Sequence, residues 1–204
     1  MLISSNNGSN QPTAALDGLT PPVTTPGTVH FIDEAITHQS SASTAQEHYL
    51  YTKDLVVSGV DGPGGSDAIR GFPDGGVGSR WILGPGTVLS YNGGHGFQPG
   101  GAENFTVEIR GEEDNPVKII NNELSGIHVT NTAGAGEGLT HIEWCIIANN
   151  GLHGINNGDV DTGTQLTNVT IANNTGIVLL GPTTANAVTY TFSNVIAAGD
   201  GDAA

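Results

Sequence analysis

Cysteine is almost absent from this chain, since its 204 residues include only Cys145. A single thiol excludes an internal disulfide and a cysteine-built metal site. Cys145 falls at an inward position of its repeat, so it is expected to be a small buried hydrophobe rather than a reactive nucleophile. Positive charge is nearly as scarce. Five Lys and Arg stand against 20 Asp and Glu, a formal net charge of −15, which argues against nucleic acid and anionic membranes as partners. No run approaches the ~18 apolar residues of a membrane span, so no membrane insertion is expected. The opening MLISSNNGSNQ lacks the basic and apolar regions of a signal peptide, and the expectation is that the numbering starts at a mature or cloned end.

What the chain has instead is glycine, 31 residues of it, and a repeat. Between Val117 and Leu179 one pattern occurs three times, as VKIINNELSGIHV, CIIANNGLHGIN and VTIANNTGIVL. Paired asparagines fall at Asn121 and Asn122, at Asn149 and Asn150, and at Asn173 and Asn174, separated by 28 and then 24 residues. A period of that size carried by short β-branched runs is a solenoid signature. Before each pair, positions of one parity are apolar in all three copies: Val117 and Ile119, Cys145 and Ile147, Val169 and Ile171. These are expected to point inward. A glycine and an aliphatic residue follow each pair, at Gly126 and Ile127, Gly154 and Ile155, and Gly176 and Ile177, and are expected to restart a strand. The Asn pair then reads as a turn, because Gly and Asn tolerate positive φ best. Stacked copies would lay amide over amide in a hydrogen-bonded ladder.

With these repeats, and with YLYTKDLVVSG, ILGPGTVLS and IRGEEDNPVKI upstream, residues 49 to 198 resemble the right-handed parallel β-helix of the pectin-lyase-like superfamily. The PGTV and G-x-EDNP turns are similar to those of bacterial surface members. The resemblance implies an all-β, right-handed parallel β-helix of about six coils, roughly 30 Å long at about 4.8 Å per coil, in an extracellular or cell-surface protein. It implies no one activity, because that superfamily holds lyases, hydrolases, tailspikes, adhesins and spacers.

Two regions follow. Residues 1 to 27 are polar and Pro-rich and read as a flexible or partner-binding arm, with Leu2 and Ile3 at its apolar end. Residues 28 to 204 read as the β-helix, opened by a short capping segment at 28 to 37. Residues 61 to 79, DGPGGSDAIRGFPDGGVGS, are too rich in Gly and Pro for strand and read as a projecting loop.

Catalytic residues are not found. Gly94-His95-Gly96 is similar to a motif of the pectin-hydrolysing branch, but the Asn-Thr-Asp, Asp-Asp and Arg-x-Lys that the resemblance implies beside it do not occur. His95 then reads as a turn residue. Outward positions are expected to stack as Lys118, Ile146 and Thr170 on one sheet and as His128, Asn156 and Val178 on another, without a carboxylate cluster. No cofactor is expected. Calcium has weak candidates at Asp159 and Asp161, with Asp61, Asp67, Glu112 to Asp114, Asp200 and Asp202 reading as solvated turns. Sequons at Asn7, Asn104, Asn168 and Asn173 are expected by chance in so Asn- and Thr-rich a chain.

The expected function is a structural or adhesive module that binds copies of itself. Its means would be the arm and an open C-terminal edge at Val195 and Ile196, guarded only by Asp200 and Asp202. The alternative is a carbohydrate-binding or polysaccharide-degrading protein that contacts surface glycan through Arg70, Arg80, Trp81, Tyr91 and His95 near the 61 to 79 segment.

Overall fold

Short β-branched runs separated by Asn and Gly turns build one parallel solenoid in the computed structural model. The structure describes residues 36–39, 49–60, 66–72, 79–101, 105–131, 139–157, 164–180 and 189–199. The strands follow one another in levels. The first level holds β1 (Ile36–Gln39), β2 (Tyr49–Thr52) and β3 (Val56–Ser58). The second holds β4 (Ile69–Phe72), β5 (Ser79–Leu83) and β6 (Val88–Ser90), and the third β7 (Phe97–Gly101), β8 (Phe105–Arg110) and β9 (Val117–Ile120). Then come β10 (Ile127–His128), β11 (Thr130–Asn131) and β12 (Leu139–Ala148), next β13 (Ile155–Asn156) and β14 (Gln165–Ala172), and last β15 (Leu179–Leu180) and β16 (Thr191–Ala198).

The levels stack into three faces. Sheet one runs β1-β4-β7-β10-β13-β15. Sheet two runs β2-β5-β8 and continues through the first halves of β12, β14 and β16; sheet three runs β3-β6-β9 into their second halves. Every one of these pairings is parallel. From β12 onward one strand serves both faces by bending at a residue of positive φ, namely Trp144 (47°), Asn168 (53°) and Asn194 (51°). Earlier levels make the same corner with the turns around Gly86 and Gly111 to Pro116.

Period-two alternation sends one column of side chains inward on each face. On sheet one the column is Ile69, Phe97, Ile127 and Ile155; on sheet two Leu83, Ile109, Ile142 and Leu166; on sheet three Leu89, Ile119, Ile147 and Ile171, all fully buried. Val117, Cys145 and Val169 form a further buried column, as their parity requires. Each such side chain contributes about 1.5–3 kcal/mol of burial, so the columns hold the rod together.

Three expectations change. Residues 61 to 79 are not all loop, because Ile69–Phe72 is a strand paired on both sides, with β1 and with β7. The glycine there is what admits it: an ideal Cβ on Gly71 would lie 1.4 Å from Cη2 of Trp81. The segment at 28 to 37 likewise ends in strand β1, while 28–35 lie outside the described residues. In the third repeat the strand restarts two residues later than the glycine suggests. Leu179, not Ile177, pairs with Ile155, and Leu180, not Val178, stacks on Asn156. Counting from the asparagine rather than the glycine gives the right register, since Asn122 to Ile127, Asn150 to Ile155 and Asn174 to Leu179 are each five residues apart.

Candidate functional site

The two asparagines of each pair do different work. The first makes the turn from sheet three to sheet one in the left-handed region, with φ of 56° at Asn121, 55° at Asn149 and 55° at Asn173. The second is buried and forms the ladder. Asn122 Nδ2 donates to Asn150 Oδ1 at 3.0 Å, and Asn150 Nδ2 to Asn174 Oδ1 at 2.9 Å. Each Oδ1 also accepts the backbone N–H of the rung below, and each Nδ2 gives its second hydrogen to a strand carbonyl. Sequence reasoning missed a fourth rung. Asn92 donates to Asn122 at 2.7 Å, and Tyr91 takes the turn position at φ 55° in place of the first asparagine.

A second ladder runs beside it. The N–H of His95 donates to Asp67 Oδ1 at 2.6 Å, that of Ser125 to His95 Nδ1 at 3.0 Å, and that of Ile177 to His153 Nδ1 at 3.1 Å. His95 is therefore a buried corner residue. With Nδ1 accepting, its neutral ring carries the proton on Nε2, 2.9 Å from Nδ1 of His128. Burial, then the charges of His128 and Arg70, lower its pKa to about 4, so it stays neutral at ordinary pH. Outward of this corner, Arg70, Gln98, His128 and Asn156 form one row on sheet one.

Sheet two carries a row of ion-paired side chains on its outer face. Arg80 binds Glu108 at 2.8 Å, Arg110 binds the other oxygen of Glu108, Arg110 also reaches Glu143 at 3.7 Å, and His141 closes on Glu143 at 2.8 Å. Burial pushes the Glu108 carboxyl up, but the hydrogen bonds and charges of Arg110 and Arg80 outweigh it and hold the group below the usual carboxylate range. An ionised carboxylate gripped on both oxygens is a poor proton donor or acceptor at neutral pH. What it does is tie β5, β8 and β12 together. The sequence hid this row because the pairs that link successive levels, Arg80 with Glu108 and Arg110 with Glu143, are 28 and 33 residues apart.

A shallow groove of about 230 Å³ opens on sheet three and its corner with sheet two, lined by Glu113, Pro116, Trp144, Ile146, Asn168, Thr170, Asn194 and Ile196. Trp144 and Asn168 were not anticipated as contacts.

The proposed glycan residues do not converge. Trp81 is 2% exposed and stacks on Phe97 with centroids 6.2 Å apart, so its indole belongs to the core and cannot face a sugar. Arg80 is committed to Glu108 on sheet two, Arg70 and His95 lie on and beside sheet one, and Tyr91 is exposed at the corner. Val195 is half-buried and Ile196 exposed on β16. Leu2, Ile3, Asp159, Asp161, Asp200 and Asp202 lie outside the described residues. Asp67 is buried at the corner and holds a backbone N–H. Among the described residues, no group of three or more His, Cys, Asp or Glu is arranged to hold a metal ion.

The fold and these features define the class as a parallel β-solenoid with internal polar ladders. No family model matches the chain, and no curated protein or solved structure matches it either.

Proposed function

We propose that this chain is a structural module of an extracellular or cell-surface assembly, and that it associates with other copies of itself through the face made by β15 and β16. One observation carries the reading. In the sheet-two column Leu83, Ile109, Ile142 and Leu166 are fully buried, yet Phe192, next in register, is 54% exposed. Val195 and Ala197 repeat the contrast against buried Val169 and Ile171. Among the described residues β16 pairs with β14 alone, and core positions left in solvent beside such an edge favour a partner that continues the stack. The arm at residues 1 to 27, with Leu2 and Ile3, would supply a second contact that extends the assembly into a fibre or layer. Analytical ultracentrifugation of the whole protein checks this: the mass should rise with concentration, and a 20.8 kDa species at every concentration would refute it.

A second reading, glycan binding, is favoured by the groove at Trp144. An indole, two amides and a hydroxyl suit the mixed apolar and hydroxylated faces of a sugar ring, and Glu113 beside them disfavours uronates. Since Trp81 is buried, a neutral oligosaccharide seated there should alter the fluorescence of Trp144 alone. A Trp144→Ala protein that binds neutral oligosaccharides as well as the parent does would remove this reading.

A further inference from the structure

We infer that the groove at Trp144 takes an amine-bearing sugar, with the protonated amine seated between the Trp144 indole and the Glu113 carboxylate. This rests on the glycan-binding reading above and adds the charge of the ligand.

The groove is built mainly from middle levels of the rod. Glu113 and Pro116 belong to the third, Trp144 and Ile146 to the fourth, and Asn168 and Thr170 to the fifth. Trp144 and Glu113 therefore stand on adjacent levels and line one opening of about 230 Å³. Trp144 is also out of the ordinary for its place. The corner between sheets two and three needs one residue of positive φ, and the next two levels use asparagine, Asn168 at 53° and Asn194 at 51°. Trp144 adopts 47° there, a conformation that asparagine tolerates better than a bulky side chain does. Its indole is only half-buried and lies outside the hydrophobic core cluster. The corner has no need of an indole, but a ligand that stacks on one does. A strained residue at the wall of a groove points to recognition.

Charge narrows the ligand. Glu113 brings a carboxylate to the groove, Glu112 and Asp114 flank it in the same exposed turn, and the whole protein carries −15. On the neighbouring face Arg80 and Arg110 are held by Glu108. Lys118, in register with Ile146, offsets one charge of the three. A carboxylate beside an aromatic side chain is a seat for an ammonium group, which the ring quadrupole and the negative charge attract together. A neutral sugar gains only the stacking.

The rest of the lining selects a sugar over a simple amine. Asn194 Nδ2 donates to Asn168 Oδ1 at 2.7 Å. That bond leaves the amide hydrogens of Asn168 and the amide oxygen of Asn194 to meet hydroxyl groups, with the Thr170 hydroxyl beside them. Pro116 and Ile146 add an apolar wall for the C–H face of a ring, the mixed lining that suits a sugar. A lysine side chain has an ammonium group and an alkyl stem but nothing to offer the two amides and the hydroxyl.

The test titrates the full chain by calorimetry with a glucosamine trisaccharide and with the same trisaccharide N-acetylated, in mildly acidic buffer where the amine is protonated. Acetylation keeps the rings and removes the charge. The amine form should bind about 10-fold tighter, and added salt should shrink the preference. Glu113→Gln, in an exposed turn, should make the two forms equal. Trp144→Asn, a residue that the same corner uses at Asn168 and Asn194, should melt no lower than the parent and bind neither form. A preference for the amine that Glu113→Gln abolishes supports the inference. Equal affinity for the two forms in the parent overturns it while keeping the glycan reading, and binding of neither overturns both. A Gly-Lys-Gly peptide that binds as tightly as the amine trisaccharide overturns the assignment to a sugar.

Discussion

Replacing Asn150 by Ala should separate the ladder from the turn. Asn150, like Asn122, is a rung with a described partner on both sides. Its Oδ1 accepts the backbone N–H of Asn122 at 3.1 Å and the side-chain amide of Asn122 at 3.0 Å, and its Nδ2 donates to Asn174 Oδ1 and to the carbonyl of Ile119. Truncation leaves two donors of Asn122 without their acceptor in a site that is about 1% exposed. A buried donor left unmade costs about 1–3 kcal/mol, so the loss should be about 4 kcal/mol, or about 8–16 °C in Tm for a domain of this size. Asn149, one residue earlier, is exposed, makes the turn at φ 55° and donates its backbone N–H to the carbonyl of Ala172, a bond that side-chain truncation leaves in place. Asn149→Gly should change stability by less than about 1 kcal/mol and Asn149→Ala should cost about 1 kcal/mol, the left-handed penalty. Urea unfolding followed by far-ultraviolet circular dichroism measures all three variants. If Asn150→Ala costs under about 1 kcal/mol, or if Asn149→Ala costs more than Asn150→Ala, the ladder is not what holds this corner.

Other expectations concern pH and packing. The pKa of His95 is near 4 in the fold against about 6.5 unfolded, so only the unfolded chain gains this proton between those values. Its contribution is complete above about pH 6.5, falls as the pH drops towards 4, and totals about 3 kcal/mol. His95→Gln should flatten that part of the urea-midpoint profile, and an unchanged slope would assign it to other groups. Glu108 has the opposite chemistry but the same direction. Its carboxyl is lowered in the fold, so its contribution is present above the unfolded value of about 4.3 and is lost as the pH falls through the lower folded one. Glu108→Gln should cost about 1–3 kcal/mol at neutral pH, with the gap to the parent closing in acid; a gap that persists there would deny the ion pairs their role. Gly71→Ala should cost about 3 kcal/mol, because the new methyl would meet the Trp81 ring, and a variant as stable as the parent in thermal melts would contradict that packing.

The solenoid was legible because the corner from sheet three to sheet one is nearly invariant. From each ladder asparagine to the next inward residue of sheet one there are always five residues, from Asn92 to Phe97 as from Asn174 to Leu179. Chemistry explains the constancy. An amide that must meet another amide one level away at about 3 Å tolerates no insertion. Tyr91-Asn92 was missed for a related reason. The ladder needs Asn only at the second position, and the first needs only a residue that accepts positive φ, which Tyr91 does at 55°.

The other two corners absorb the variation, and there the sequence misleads. Between the inward residues of sheets two and three the count is ten from Ile109 to Ile119 but five from Ile142 to Ile147, since one level turns through Gly111 to Pro116 and the next bends at the single residue Trp144. Two short strands and one long strand thus occupy equivalent places, and no fixed period connects them. The outward neighbours of sheet two, Arg80, Glu108, Arg110, His141 and Glu143, lie across these variable spacings, so the row of ion pairs emerges only from register. The end face differs again. Thr191 to Ala198 alternates like any other strand of the rod, and its pattern gives no hint that Phe192 is 54% exposed. That exposure follows only from the position of β16 in the stack, where among the described residues it pairs with β14 alone, and not from any residue motif.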